Sequence, residues 1–236
     1  MSDQPDNQLA AKRNAAERAV REVEDGMVLG LGSGSTAILA LDAIAARMAE
    51  GLRIVGIATS ERTAARAKAL GIPLTDFARN RRINLTIDGA DQVARGTLDL
   101  VKGRGGALLR EKIVAGASKR MLVVVDETKL VDRLGGATPL PLEIVPFGWE
   151  VTIDRLMALG VAARLRFDDG KPFRSDGGNY IADCTISEIG DPAGLDRQLM
   201  ALLGVIATGL FVGMAARVVV GRADGCEIID APRRAS

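Results

Sequence analysis

The chain has 236 residues, of which 47% are hydrophobic, with 31 Lys and Arg against 30 Asp and Glu. That apolar content can build a substantial core and excludes an intrinsically disordered chain. A formal charge of +1 lends no support to a nucleic-acid surface, and two cysteines without any histidine argue against a zinc site.

The first eight residues are polar and expected to be loose. From about Ala10 to Val23 alanines and valines recur at helical spacing, and Asp25-Gly26 closes that segment. Met27 to Leu31 reads as a short buried strand, followed by Gly32-Ser33-Gly34-Ser35-Thr36 and an alanine- and leucine-rich helix to about Ala49. Ile54 to Ala58 is the next strand. Ser60 fits an N-cap, Glu61 suits the first turn of the helix it opens, and Gly71 ends that helix. Ile83 to Ile87 and Leu98 to Val101 are strands, Leu108 to Ala117 is a helix, and Met121 to Val125 is an apolar strand. This alternation predicts a mostly parallel sheet with helices on both faces. Ligands in such sheets gather beyond the carboxyl ends of the strands, where Ser33, Asp88, Lys102 and Asp126 all fall.

The pattern changes near Gly135. Pro139, Pro141 and Pro146 punctuate a strand-like stretch, and Val151 to Leu159 is helical. Val161 to Phe167 and Tyr180 to Ile186 are strands joined by a Gly- and Asp-rich turn, and a helix runs from about Leu195 to Leu203. Leu199 to Ala216 is uncharged over nearly the length of a membrane span. Gly204, Gly209 and Gly213 divide it, however, and Gly204-Val205-Ile206 and Leu210-Phe211-Val212 read as buried strands. The basic runs Arg79-Asn80-Arg81-Arg82 and Arg233-Arg234 read as solvated loop and tail. Without a signal-peptide pattern, Cys184 and Cys226 are expected as reduced thiols in a cytoplasmic protein, with neither a membrane nor nucleic acid as partner.

Three motifs carry chemistry. The glycines of Gly30-Leu31-Gly32-Ser33-Gly34-Ser35-Thr36 permit a tight strand–helix turn, whose amides and hydroxyls can hold a phosphate. No Gly-Lys-Ser/Thr follows, so this is not a Walker A loop; a ligand-free turn is the plain alternative. Asp88-Gly89-Ala90-Asp91 sets two carboxylates at a strand end, suited to sugar hydroxyls, to a hard cation, or merely to capping a turn. In Lys102-Gly103-Arg104-Gly105-Gly106-Ala107-Leu108-Leu109-Arg110-Glu111-Lys112 a lysine precedes a glycine loop and a glutamate follows about one helical turn in. A cation can stabilise an enediolate, and a carboxylate can move a proton α to a carbonyl. An ordinary surface ion pair for Glu111 is the competing explanation.

Together, and in this order, the motifs resemble those of A-type ribose-5-phosphate isomerases. Val125-Asp126-Glu127-Thr128-Lys129, Pro139-Leu140-Pro141-Leu142-Glu143 with Pro146, Ser175-Asp176-Gly177-Gly178-Asn179 and Thr208-Gly209-Leu210-Phe211 extend the resemblance from about Lys12 to Ile229. It implies a Rossmann-like α/β domain, residues 1–130 with 205–236, and a smaller inserted α+β domain, residues 131–204. It implies interconversion of D-ribose 5-phosphate and D-ribulose 5-phosphate through a cis-enediol, in the non-oxidative pentose phosphate pathway. By resemblance, Glu111 is the general base, Lys102 steadies the enediolate, and Asp88 and Asp91 handle sugar hydroxyls and ring opening. Ser33, Gly34, Ser35 and Thr36 resemble the phosphate loop, with Lys12 as a further cation. Gly89, Ala90, Gly103, Arg104, Gly105 and Lys129 resemble further substrate contacts. The family needs no metal or organic cofactor and commonly forms a homodimer or larger assembly.

This sequence departs from the family at two positions near the site. Gln92 stands where glutamate is usual, which removes a charge beside Asp91. Arg104 replaces a glycine, which costs stability if the backbone there has a positive φ, and otherwise adds a cation for an anionic substrate. Two other classes share this architecture. One is a sugar-phosphate sensor, which usually carries a DNA-binding domain, and no helix-turn-helix pattern occurs here. The other is an acyl-transferring enzyme with Glu111 as nucleophile, which acyl-CoA dependence would reveal.

Overall fold

Helix α1 (Asp3–Val20) begins well before the alanine-rich stretch that predicts it. In the computed structural model, which describes residues 3–232, Ala11, Ala15, Ala16 and Ala19 are buried. The polar turns before them continue the helix, because each residue added to an anchored helix gains a backbone hydrogen bond. Gln8 also donates to Asp126 at 3.4 Å. The expectation of a loose N-terminus therefore fails from Asp3 onward, and Arg233-Arg234 lies outside the described residues.

β1 (Val28–Leu31), α2 (Ser35–Ala49), β2 (Val55–Ala58), α3 (Glu61–Ala69) and β3 (Leu85–Asp88) follow in the expected order. Ser60 caps α3 by accepting from the Thr63 amide at 3.1 Å. Next come β4 (Gln92–Ala94), too short to show alternation in the sequence, and β5 (Leu100–Val101). α4 (Leu108–Gly116) and β6 (Met121–Asp126) precede a short 3-10 turn at Glu127–Lys129 and β7 (Leu130–Val131). β8 (Leu140–Ile144), α5 (Trp149–Ala158) and β9 (Ala162–Leu165) come next. They are followed by β10 (Phe167–Asp168), β11 (Lys171–Pro172), β12 (Tyr180–Thr185) and α6 (Pro192–Met200). β13 (Val205–Thr208), β14 (Leu210–Phe211), β15 (Arg217–Arg222) and β16 (Gly225–Asp230) complete the order.

The largest sheet has six strands in the order β16-β15-β6-β3-β1-β2. All neighbours are parallel except β16, which closes one edge antiparallel. Every residue of β6 is buried, as expected for a strand covered on both faces. From β1 the chain goes to β2 on one side and then to β3 on the other. The order therefore reverses at β1, which leaves a crevice above the carboxyl ends of β1 and β3.

A second sheet, β13-β8-β12-β9, is antiparallel throughout, and α5 and α6 contribute Leu156 and Leu199 to its core. Val205–Thr208, grouped by the sequence with the larger domain, pairs with β8 in this sheet instead. Its Thr208 is buried opposite Leu142, so the chain leaves this layer only after β13. A third sheet, β14-β5-β4-β7, carries Lys102 at the end of β5. Between β13 and β14, Gly209 accepts the Lys102 amide at 2.9 Å. A Cβ there would sit 2.4 Å from the Lys102 carbonyl, so only glycine lets these strands meet. Among the described residues no helix is long and apolar enough to cross a membrane, and both cysteines are free thiols.

Candidate active site

A cavity of about 310 Å³ opens where the strand order reverses. Every site residue expected from the sequence lines it, except Asp88. Val125, at the end of β6, joins the wall unforeseen, an apolar strand residue with no chemical signature.

The floor comes from β1 and α2. Gly32 passes so close to Asp88 that a Cβ would lie 2.4 Å from its Oδ1, and Gly34 turns with a φ of 91° into the first turn of α2. The Gly34, Ser35 and Thr36 amides find no acceptor among the described residues, so this helix start offers donors that an anion can use. Lys12 of α1 and Lys129 of the 3-10 turn bring cations to the same cavity. Ser33 lines the cavity and also supports the loop itself. Its amide donates to Asp88 Oδ1 at 3.0 Å, and its hydroxyl lies within 2.7 Å of Thr59 Oγ1 and 2.9 Å of Ser60 Oγ. Ser33 thus ties the loop to the start of α3, and Ser35 and Thr36 bring further hydroxyls to the cavity.

The reactive end is a buried triad. Asp88, Lys102 and Glu111 are 0%, 3% and 5% exposed. Lys102 Nζ lies 3.0 Å from Asp88 Oδ2 and 3.4 Å from Glu111 Oε2, and it also donates to the Gly89 carbonyl. Asp88 Oδ1 accepts the amides of Ser33 and Gly89, the latter at 2.8 Å. Glu111 receives no backbone hydrogen bond of that kind, and its Oε2, like Asp88 Oδ2, is buried with the Lys102 ion pair and no hydrogen bond. Burial raises both carboxyls of this cluster, Asp88 against the pull of Lys102 and the amides of Ser33 and Gly89. Burial pushes Glu111 up to about 7 against the opposing pull of Lys102, with Asp88 and Asp91 adding to the rise. Burial would lower the Lys102 ammonium, but the carboxylates of Asp88 and Glu111 outweigh it and hold the group above the ordinary lysine value. The surface ion pair weighed for Glu111 is not what forms.

The loop after Lys102 closes the cavity. Gly103 and Gly106 take positive φ of 96° and 80°, whereas Arg104 does not, so arginine is unstrained there. The Arg104 amide donates to Asp91 Oδ2 at 3.0 Å, and the residue lines the cavity. The second sheet holds this loop from outside. Arg166 donates to the Arg104 carbonyl at 2.8 Å while paired through two nitrogens with Asp183, and Phe173 fills the space a Cβ on Gly106 would need. We expect Arg166→Ala to lower kcat/KM on the order of tenfold through a misplaced loop, with Arg166→Lys recovering part of it. Unchanged kinetics for Arg166→Ala would remove this residue from the site's support.

Gln92 is buried, and its side-chain amide exchanges two hydrogen bonds of 2.8 Å with the backbone of Gly135. A glutamate could not donate to that carbonyl, so the amide here anchors β4 to the chain after β7 and does not alter the cavity's charge. Among the described residues no group of three His, Cys, Asp or Glu is placed to hold a metal ion.

The family model for ribose 5-phosphate isomerase A (phosphoriboisomerase A) matches residues 55–225. The chain is 54% identical over 218 residues to the ribose-5-phosphate isomerase A of Gloeobacter violaceus, covering 92% of this chain and 95% of that one. It is 50% identical over 227 residues to the Thermomicrobium roseum protein of the same name, covering 96% of each. A solved D-ribose-5-phosphate isomerase in complex with phospho-erythronic acid superposes with a TM-score of 0.92 at 35% identity, covering 95% of this chain and 99% of that one.

Proposed function

The chain belongs to the ribose-5-phosphate isomerase A family, and from that premise we propose how its residues interconvert D-ribose 5-phosphate and D-ribulose 5-phosphate. The phosphate sits at the start of α2, held by the amides of Gly34, Ser35 and Thr36, the hydroxyls of Ser35 and Thr36, and the cations Lys12 and Lys129. Arg104 adds positive charge at the rim. Asp91 accepts from the sugar hydroxyls and assists opening of the furanose. Asp88 serves from behind the cavity wall by fixing Lys102 and the phosphate loop.

Glu111 removes the proton from C2 of the open aldose while the C1 carbonyl oxygen becomes an enediolate oxygen beside the Lys102 ammonium. The same proton returns to C1, the O2 proton passes to O1, and the C2 carbonyl of the ketose forms. The observation that carries this reading is the unbonded, buried Glu111 carboxylate beside a fixed ammonium, in one cavity with an open helix N-terminus. We further take the protein to be a cytoplasmic homodimer or larger assembly of two-domain chains.

The test is conversion of ribose 5-phosphate to ribulose 5-phosphate by the purified protein in excess chelator. Turnover supports the assignment; binding of the sugar phosphate without turnover would make the protein a sensor instead. The pH profile follows from Glu111. A base must be ionised to act, so kcat/KM should rise about tenfold per pH unit on the acid side and level off above about 7. A limb centred near pH 6 would instead belong to the second ionisation of the substrate phosphate.

A further inference from the structure

Phe211 is 0% exposed and lies within reach of two ammonium groups. Lys102 Nζ stands over its ring at 5.4 Å from the centroid, and Lys112 Nζ at 5.1 Å. The backbone sets both parts of the first contact. Phe211 pairs with Leu100 and Leu210 with Val101, and Lys102 donates its amide to Gly209. Phe211 belongs to a buried core cluster whose other members are almost all aliphatic, Val93, Leu98, Leu100 and Val123 among them.

We propose that Phe211 is a positioning residue for the reaction, its ring face fixing the Lys102 ammonium where negative charge develops on the substrate oxygen. This rests on the roles given above to Lys102 and Glu111. The ammonium donates to the Gly89 carbonyl and is ion-paired with Asp88 Oδ2 at 3.0 Å and with Glu111 Oε2 at 3.4 Å. When Glu111 takes the C2 proton its charge disappears, and the attraction across 3.4 Å collapses in the step that needs the ammonium held still. An aromatic face attracts a desolvated cation without consuming one of its protons, so it holds Lys102 through that step and leaves an N–H for the enediolate. Lys112 has separate anchors, Thr208 Oγ1 at 3.3 Å and Asp196 Oδ1 at 3.7 Å, and does not need the ring to the same degree.

The experiment replaces Phe211 site-specifically with 4-fluoro-, 3,5-difluoro- and 3,4,5-trifluorophenylalanine, which drain the negative face of the ring with little change in shape. The expected result is a stepwise fall in kcat, reaching about tenfold at the trifluoro ring, with KM within about twofold. The same slope should persist in a Lys112→Met background. A flat series overturns the proposal, as does a slope that vanishes with Lys112→Met or that tracks a falling melting temperature. Wild type and Glu111→Gln are assayed alongside. An inactive wild type, or a Glu111→Gln enzyme as fast as wild type, would sink the underlying isomerase assignment. Normal activity in the first and loss in the second, with a flat series, would sink only the role of Phe211.

Discussion

Glu111→Gln is expected to lower kcat by about 10³-fold while leaving affinity for a phosphorylated aldonic acid nearly unchanged. Glutamine keeps the shape of the side chain and cannot take a proton, and what it gives up at Oε2 is the 3.4 Å ion pair with Lys102 and no hydrogen bond. The same variant should be at least as stable as wild type above neutrality. Burial raises the Glu111 acid to about 7, so its contribution to stability is complete below the ordinary glutamate value and is lost as pH rises through about 7. Glutamine has no such loss. Melting curves at pH 5.5 and 8.5, run beside the kinetics, should therefore show the variant gaining on wild type at the higher pH. Residual activity within tenfold of wild type would remove Glu111 as the base. A variant markedly less stable at pH 8.5 would mean that the carboxylate is held by contacts other than those described.

Lys102→Met should cost both chemistry and fold. Without the ammonium the enediolate oxygen loses its charged partner, and kcat is expected to fall by about 10²- to 10³-fold. Methionine fills much of the lysine stem's volume, so the structural cost comes from charge. Asp88 and Glu111 would remain buried with no cation between them, and removing one partner of such a cluster destabilises by about 3 kcal/mol at neutral pH and above. Burial already raises both carboxyls despite the opposing pull of Lys102, and without the lysine both rise further. Groups raised in the fold are favourable while protonated and turn unfavourable as pH climbs through their folded values. The stability deficit of Lys102→Met should therefore be small near pH 4 to 5 and grow through neutrality, as read from denaturant midpoints across that range. A deficit that is the same at every pH would show that lost packing, and not unpaired charge, sets the cost.

Local chemistry makes much of this protein legible in its amino-acid sequence. The Ser60 cap, the glycine-permitted turn from β1 into α2, and the apolar run of β6 depend on residues adjacent in the chain, and all occur where the sequence puts them. The pattern of strands and helices likewise required a parallel sheet, and its motifs fell at strand ends that one crevice could gather. Which end of each motif would touch a ligand was another matter. Ser33 and Asp88 belong to motifs read as binding sugar and phosphate, yet the hydroxyl of one and both carboxylate oxygens of the other are taken up inside the protein. Their direction depends on Thr59 and Lys102, which stand far along the chain.

The repeating strand–helix order, the glycine turn from β1 into α2 and the residue types available for proton transfer follow from the chain's own sequence, because propensity, capping and backbone freedom act over a few neighbouring positions. Packing of the sheets was needed to bury and raise the carboxyls of Asp88 and Glu111, to pair Gln92 with Gly135, and to set Arg166 on the Arg104 carbonyl. Packing alone brought Phe211 to Lys102. Those outcomes depend on burial and on hydrogen bonds between segments remote in sequence. Desolvation and charge pairing of that kind have no value until the sheets have packed around them.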